Sequence, residues 1–203
     1  MDRPYVSTKN ESVRMFKSDF MEFFSHVHPI TPLVIYLPFI GYLLYVGFWQ
    51  KELSILAVAG LFVIGMLMWT LFEYIIHRLV FHYEPKSRWG KRLHFIVHGV
   101  HHDYPNDARR LVMPPSISIP VAVLMYLVFT VAFGRFAPVL SAGFAFGYVC
   151  YDSIHYATHH FAMKRGILLW LKQYHLRHHY QDDHVGYGVS SPLWDHVFGT
   201  TKE

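Results

Sequence analysis

Cysteine is nearly missing from this chain of 203 residues, where Cys150 stands alone. That excludes an internal disulfide framework and any zinc site built on paired cysteines. Charge is also scarce, at 16% of residues, against 53% hydrophobic and 18% aromatic. A chain this apolar cannot stay disordered in water. No secretory signal peptide is visible, because residues 1–28 contain no continuous apolar stretch. What the chain has instead is long uncharged runs and histidine. There are 16 histidines, where even usage of all residue types would give about 10.

Four runs carry no charge: Leu33–Gln50, Leu53–Phe72, Leu111–Gly134 and Phe136–Tyr151. Crossing a bilayer takes about 20 predominantly apolar residues, or about 17 at the least. The first three runs qualify, and the fourth does if its helix continues into Asp152–His160. Four such runs packed inside a soluble protein would leave too little amphipathic shell to cover them. Two membrane hairpins are therefore expected, with spans at about 31–50, 53–72, 114–134 and 136–154.

Basic residues give the orientation. Only Lys51 and Arg135, of 18 Lys and Arg, lie at the hairpin tips; the rest fall before the first span, in 73–112 or after Asp152. By the positive-inside rule those three segments and both termini are cytoplasmic. The net charge of +4 thus reports sidedness, and no nucleic-acid partner is expected. Val13, Phe16, Phe20, Phe23, Phe24 and Val27 recur at helical spacing. Segment 1–29 therefore reads as an amphipathic interfacial helix opened by Thr8 and Glu11 as a capping box. It would lie on the membrane surface or against the protein's own cytoplasmic part.

Fourteen of the histidines follow residue 76, all in the segments assigned to the cytoplasmic side. Twelve of them form four clusters: His77 and His82; His94, His98, His101 and His102; His155, His159 and His160; His175, His178 and His179. In a helix, residues i, i+3 and i+4 share a face, while neighbours are splayed by about 100°. An HxxHH triplet can therefore reach two metal ions. His155 and His159, one turn apart, can share a centre. His77 and His82, five apart, converge only if the helix ends or bends between them. Isolated histidines are ordinarily surface or core groups, and His26, His28, His184 and His196 are read that way. Imidazole suits zinc, copper, iron and nickel, and so many ligands point to a dinuclear site. Glu73, one turn before His77, and Asp152, three residues before His155, could each accept a distal imidazole N–H. Ordinary interfacial carboxylates are the alternative.

The order HRLVFH, HGVHH, HYATHH, HLRHH on paired membrane hairpins resembles the fatty acid hydroxylase/sterol desaturase superfamily of membrane di-iron enzymes. Residues 93–115, LHFIVHGVHHDYPNDARRLVMPP, and 179–200, HYQDDHVGYGVSSPLWDHVFGT, are most similar to its fatty acid 2-hydroxylases. The resemblance covers roughly 30–200. It implies one all-α domain over 1–203, with four transmembrane helices capped by a cytosolic helical domain (73–112 and 155–203) that holds a histidine-rich dimetal site. Residue by residue, it implies His77, His82, His98, His101, His102, His155, His159, His175, His178 and His179 as ligands. It also implies a split, with His77, His82, His98, His102 and His179 on one ion and the remaining five on the other. His94 and His160 are left as supports, or as ligands in place of a neighbour.

The implied cofactors are two Fe2+ ions with O2 as co-substrate, zinc being an inactive substitute because it has no redox chemistry. The implied reaction is hydroxylation of a membrane lipid, at position 2 of a fatty acyl chain that is free or in a ceramide. Arg109, Arg110, Lys172 and Arg177 could bind its carboxylate or headgroup, and Tyr104, Tyr156 and Tyr174 could line the site; all could equally be interfacial residues. Some family members carry a cytochrome b5 domain with a His-Pro-Gly-Gly box. Here the only His-Pro is His28-Pro29-Ile30, so a separate donor, cytochrome b5-like or ferredoxin-like, is expected. That difference tilts the expected location to a bacterial inner membrane over the endoplasmic reticulum. Two other readings compete: a sterol or carotenoid hydroxylase or desaturase of the same superfamily, and a histidine-lined metal transporter or sensor. The last expects ionisable residues within the spans, and the four runs have none.

Overall fold

The computed structural model describes residues 6–7 and 9–201, and all the regular structure among them is helical. Helix α1 is Asp19–Ser25, α2 is Thr31–Tyr45, α3 is Ile55–Ile76, α4 is Arg88–His94 and α5 is Val100–Asp103. They are followed by α6, Pro115–Phe133, α7, Ala137–His160, α8, Gly166–Tyr180, and α9, Leu193–Phe198. Three helical stretches are long and apolar enough to cross a membrane: Thr31–Gln50, Ile55–Phe81 and Pro115–His160. The third comprises α6 and α7, joined by a tight turn at Gly134–Phe136 where Gly134 takes a positive φ of 51°. The two helices pack together, with Phe129 edge-on to Phe144 at 5.5 Å.

Helix α7 is the central element. Helices α2, α3 and α6 all pack on it, and it is buried along most of its length. Small residues allow the close approach, as membrane helices require when lipid is as apolar as the side chains. A Cβ at Gly143 would overlap the Phe62 backbone, and one at Gly65 would overlap the carbonyl of Leu140. Trp69 fills the space over Gly147, against Phe144 at 5.2 Å and Tyr148 at 5.3 Å. The outward faces are apolar too: Leu56 is 82% exposed and Val131 90%, as a lipid-facing surface requires.

Two helices run on beyond the charge-free runs, and this positions the site. Helix α3 continues to Ile76 and then widens into a π-turn, His77–Phe81. Helix α7 continues to His160. The stretch Arg88–Asp103 is likewise interrupted by a π-turn, Phe95–Gly99. The C-terminal segment folds back on α3, where Trp194 Nε1 donates to Thr70 Oγ1 at 3.0 Å.

The N-terminal helix is shorter than its apolar spacing predicts. Residues 11–16 are not helical and only Asp19–Ser25 is, started by Ser18, whose hydroxyl accepts from the Met21 N–H. The reason is competition for backbone groups. The Glu22 carboxylate accepts from the N–H groups of Met15 and Phe16, and Arg14 donates to the carbonyls of Phe16 and Lys17. Thr8 lies outside the described residues. Glu11 accepts from the Ser7 hydroxyl at 2.5 Å and caps no helix.

Candidate metal centre

Ten imidazoles converge in two groups. One holds His77, His82, His98, His102 and His178; the other holds His101, His155, His159, His175 and His179. In each, the five ring nitrogens lie within 4.8 Å of one another. In the first, the Nε2–Nε2 separations are 3.1 Å for His77–His98, 3.3 Å for His77–His82 and 3.0 Å for both His98–His102 and His82–His178. In the second they are 2.8 Å for His101–His155, 2.9 Å for His159–His175 and 3.0 Å for His175–His179. Two nitrogens about 2.1 Å from a shared ion and at right angles lie about 3.0 Å apart. Five lone pairs aimed at one point cannot satisfy each other by hydrogen bonding, so the donor set fits a cation. The groups abut, with His102 stacked on His179 at 4.2 Å.

Helix geometry explains the sorting. His98 and His102, His155 and His159, and His175 and His179 are i,i+4 pairs, and each pair enters one group. His101 and His178, next in sequence to a pair member, are rotated by about 100° and enter the other group. This corrects the partition implied by the resemblance, which had His178 and His179 exchanged. His77 and His82 meet because the helix widens: the His82 N–H donates to the His77 carbonyl at 3.1 Å, an i→i+5 bond that puts residues five apart on one face.

The first group is fixed by a loop. His77 Nδ1 lies 2.5 Å from the Tyr187 carbonyl and His178 Nδ1 2.8 Å from that of Val185. With Nδ1–H donating there, each Nε2 keeps its lone pair for an ion. Two buried carboxylates hold the loop. Asp195 accepts from the N–H groups of Tyr187 (2.9 Å) and Gly188 (2.8 Å) and from Thr200 Oγ1 (2.8 Å). Glu73 accepts from the N–H groups of Val189 (2.7 Å) and Ser190 (2.9 Å) and from the Ser190 hydroxyl. Glu73 therefore does not meet the His77 imidazole directly, as its spacing predicts; it faces the loop and acts through the Tyr187 carbonyl. In the second group, the Nδ1 atoms of His155, His159, His175 and His179 have no partner among the described residues. Asp152 is buried near the Tyr148 hydroxyl and the Met113 N–H and makes no hydrogen bond to His155.

Electrostatics suit a metal. Burial lowers the pKa of His82, His98, His101, His102, His175, His178 and His179. For all of these but His178, neighbouring imidazoles push the same way. The rings are therefore neutral at pH 7, the state that binds an ion.

A cavity of about 510 Å³ opens against His98, His101 and His155, with Tyr151 and Asp152 beside them. Its remaining walls are mainly apolar, including Phe81, Val97, Leu111 and Ile117. The other residues singled out from the sequence lie elsewhere. His94 and His160 belong to neither group; His160 stacks on Tyr156 at 4.5 Å. His26 meets Arg110 and Ser12, His28 accepts from the Ile30 N–H, and His184 and His196 are exposed. Arg109 is exposed. The Arg110 guanidinium borders the cavity but is engaged by Glu22, His26 and the Val13 carbonyl. Tyr156 and Tyr174 do not line the cavity; Tyr174 is buried against Trp170. Sequence reasoning missed Tyr151, Asp195 and the Tyr187 carbonyl. The flanking glycines were the available signal: Gly186 takes φ +75°, and a Cβ at Gly188 would overlap the Ser191 carbonyl.

Comparison with known proteins identifies the family. The model of the family described as fatty acid hydroxylase matches residues 62–200. The dihydroceramide fatty acyl 2-hydroxylase FAH2 of Arabidopsis thaliana is 40% identical over 94% of this chain and 80% of its own length. The ceramide very long chain fatty acid hydroxylase SCS7 of Saccharomyces cerevisiae is 41% identical over 82% of this chain and 44% of its own. A solved structure of full-length scs7p, with only the hydroxylase domain visible, aligns with a TM-score of 0.84 at 38% identity, covering 91% of this chain and 70% of that one. The chain belongs to the fatty acid hydroxylase family.

Proposed function

We propose that this protein is a membrane lipid hydroxylase that adds a hydroxyl group at position 2 of a fatty acyl chain, free or in a ceramide. The observation that carries this reading is two groups of five converging imidazoles bordering one apolar cavity of about 510 Å³, within the usual range for ligand sites of about 300–1,000 Å³. FAH2 and SCS7, by their names, act on ceramide-linked fatty acyl chains.

The ten histidines are the ligands of two metal ions, five to each. Iron is the working metal and zinc an inactive substitute. A pair of iron ions supplies the redox chemistry: one oxygen atom of O2 enters the C–H bond, the other leaves as water, and two electrons and two protons are consumed. The protein's own part is positional. The loop at Val185–Tyr187 holds two imidazoles with Nε2 forward, and the cavity walls exclude water from the acyl chain. The electrons come from a separate carrier, cytochrome b5-like or ferredoxin-like.

In the membrane, Pro115–His160 crosses twice, turning at Gly134–Phe136, so that the chain spans the bilayer four times. The domain is 1–203, with the metal site and both termini on the cytoplasmic side. The relatives named above are eukaryotic and lend no support to a bacterial inner membrane. Lipids from cells with and without the chain, compared by mass spectrometry, test the proposal. Acyl lipids heavier by one oxygen, with the hydroxyl at position 2, are expected only in expressing cells; identical lipid profiles contradict it.

A further inference from the structure

The described residues before the first span belong to neither imidazole group, yet they form a wall of the cavity. Met15, Phe16, Phe20, Met21 and Phe24 all line it, facing the same space as His98, His101 and His155. Phe20 is 73% exposed and Phe24 52%, so each also borders the outside. Helix α1 is thus a thin partition rather than part of a packed core. At seven residues it is too short to be stable alone, and few backbone contacts join it to the other helices.

Its attachment is specific. The buried Arg110 guanidinium pairs with Glu22 at 2.5 Å, meets His26 Nε2 at 3.0 Å and donates to the Val13 carbonyl. Backbone bonds from Val27 to Arg109 and from Ser7 to Asp103, both 2.8 Å, secure the ends of the segment. Inside the helical bundle, by contrast, the hollow among Tyr36, Trp69 and Tyr148 is only about 40 Å³. Water needs about 10–15 Å³ of such space, so that hollow suits a few waters and no acyl chain.

We propose that α1 is the selectivity wall of the acyl cavity: Phe20, Met21 and Phe24 decide which chains reach the two imidazole groups, and Arg110 holds that wall in place through Glu22. The inference rests on the lipid-hydroxylase reading above. Truncating the wall enlarges the cavity and favours longer chains; enlarging the wall does the opposite.

The test offers the full, iron-loaded protein an equal mixture of a hexadecanoyl and a tetracosanoyl ceramide and measures the ratio of hydroxylated products. Because the lipids compete in one vessel, the ratio is insensitive to the amount of active protein. Phe24→Ala and Phe20→Ala should each shift it toward the longer chain by about tenfold, and Phe24→Trp should shift it toward the shorter. Glu22→Gln, which weakens the hold of Arg110 on the wall while keeping every lining side chain, should flatten the preference. Ratios within about twofold of the parent in all four variants overturn the proposal. Binding of the two ceramides to metal-loaded protein, measured by native mass spectrometry, gives the same ratio without turnover. If the parent makes no hydroxylated lipid, the functional reading fails, and the binding ratio alone decides the role of α1 by the same criteria.

Discussion

The two imidazole groups have the same donor set and are built in different ways. The second takes four of its five members from i,i+4 pairs on long helices, His155 and His159 on α7 and His175 and His179 on α8. Regular helix places those rings, and no loop contact to their Nδ1 atoms is present among the described residues. The first has one such pair, His98 and His102. Its other members sit where helix geometry alone does not converge: His77 and His82 on a π-turn, and His178 one residue off its helical pair. There the loop at 185–190 intervenes, through carbonyls on His77 and His178. Where secondary structure aims the rings, tertiary structure is spared; where it does not, two buried carboxylates and the loop they hold supply the aim.

The largest effects are expected at the imidazoles themselves. His178→Ala should abolish hydroxylation and deplete the first group of metal, while His101→Ala should do the same to the second. Metal analysis and product formation on the same samples check this, and parental turnover in either variant would remove that residue from the ligand set. Next come the loop supports, where the two groups should separate. Asp195→Ala leaves the Tyr187 and Gly188 N–H groups unpaired, at about 1–3 kcal/mol each. It should weaken metal binding by about 10–100-fold in the first group only, leaving one ion tightly held. Equal loss of both ions in a metal-competition titration would show that the loop serves the whole cap.

Acid should affect both groups alike. Burial lowers the histidine pKa values in the cap, so the folded state resists protonation that the unfolded chain accepts below about 6.5. Stability and metal retention should be full above that pH and fall as the pH drops below it. A thermal-unfolding series across this range, paired with metal analysis, reads both; no change down to pH 5 would contradict it. The smallest effect is at Gly186. Its φ of +75° makes Gly186→Ala cost about 1–2 kcal/mol, felt as faster metal loss from the first group with the second unchanged.

Much of this was legible in the sequence for a physical reason. Apolar length marks a span, and i,i+4 spacing marks a shared face whatever the surroundings. The rule that separates adjacent histidines by about 100° already divides His101 from His102 and His178 from His179. It does not say which of His178 and His179 joins His175, because i+3 and i+4 share its face; the fold groups His175 with His179. Other features left little trace. A backbone carbonyl such as that of Tyr187 has no residue code, and the orientation of Glu73 depends on a loop more than a hundred positions away. The N-terminal periodicity reads as one long helix because it reports apolar spacing, not the competition of Glu22 and Arg14 for backbone groups. The aromatic residues of α1 look like a membrane anchor in sequence, and only the fold shows that they also face the cavity.

The two groups of five imidazoles are proposed to hold the metal that supports oxidation of an acyl chain in the cavity beside them. The most direct test supplies iron-loaded protein with a reductant, isotopically labelled O2 and an acyl ceramide, then locates the label by mass spectrometry. One labelled oxygen at position 2 of the acyl chain is expected, with loss of that product in His101→Ala and His178→Ala. A desaturated product, a hydroxyl elsewhere on the lipid, or labelled product undiminished in either variant would contradict it.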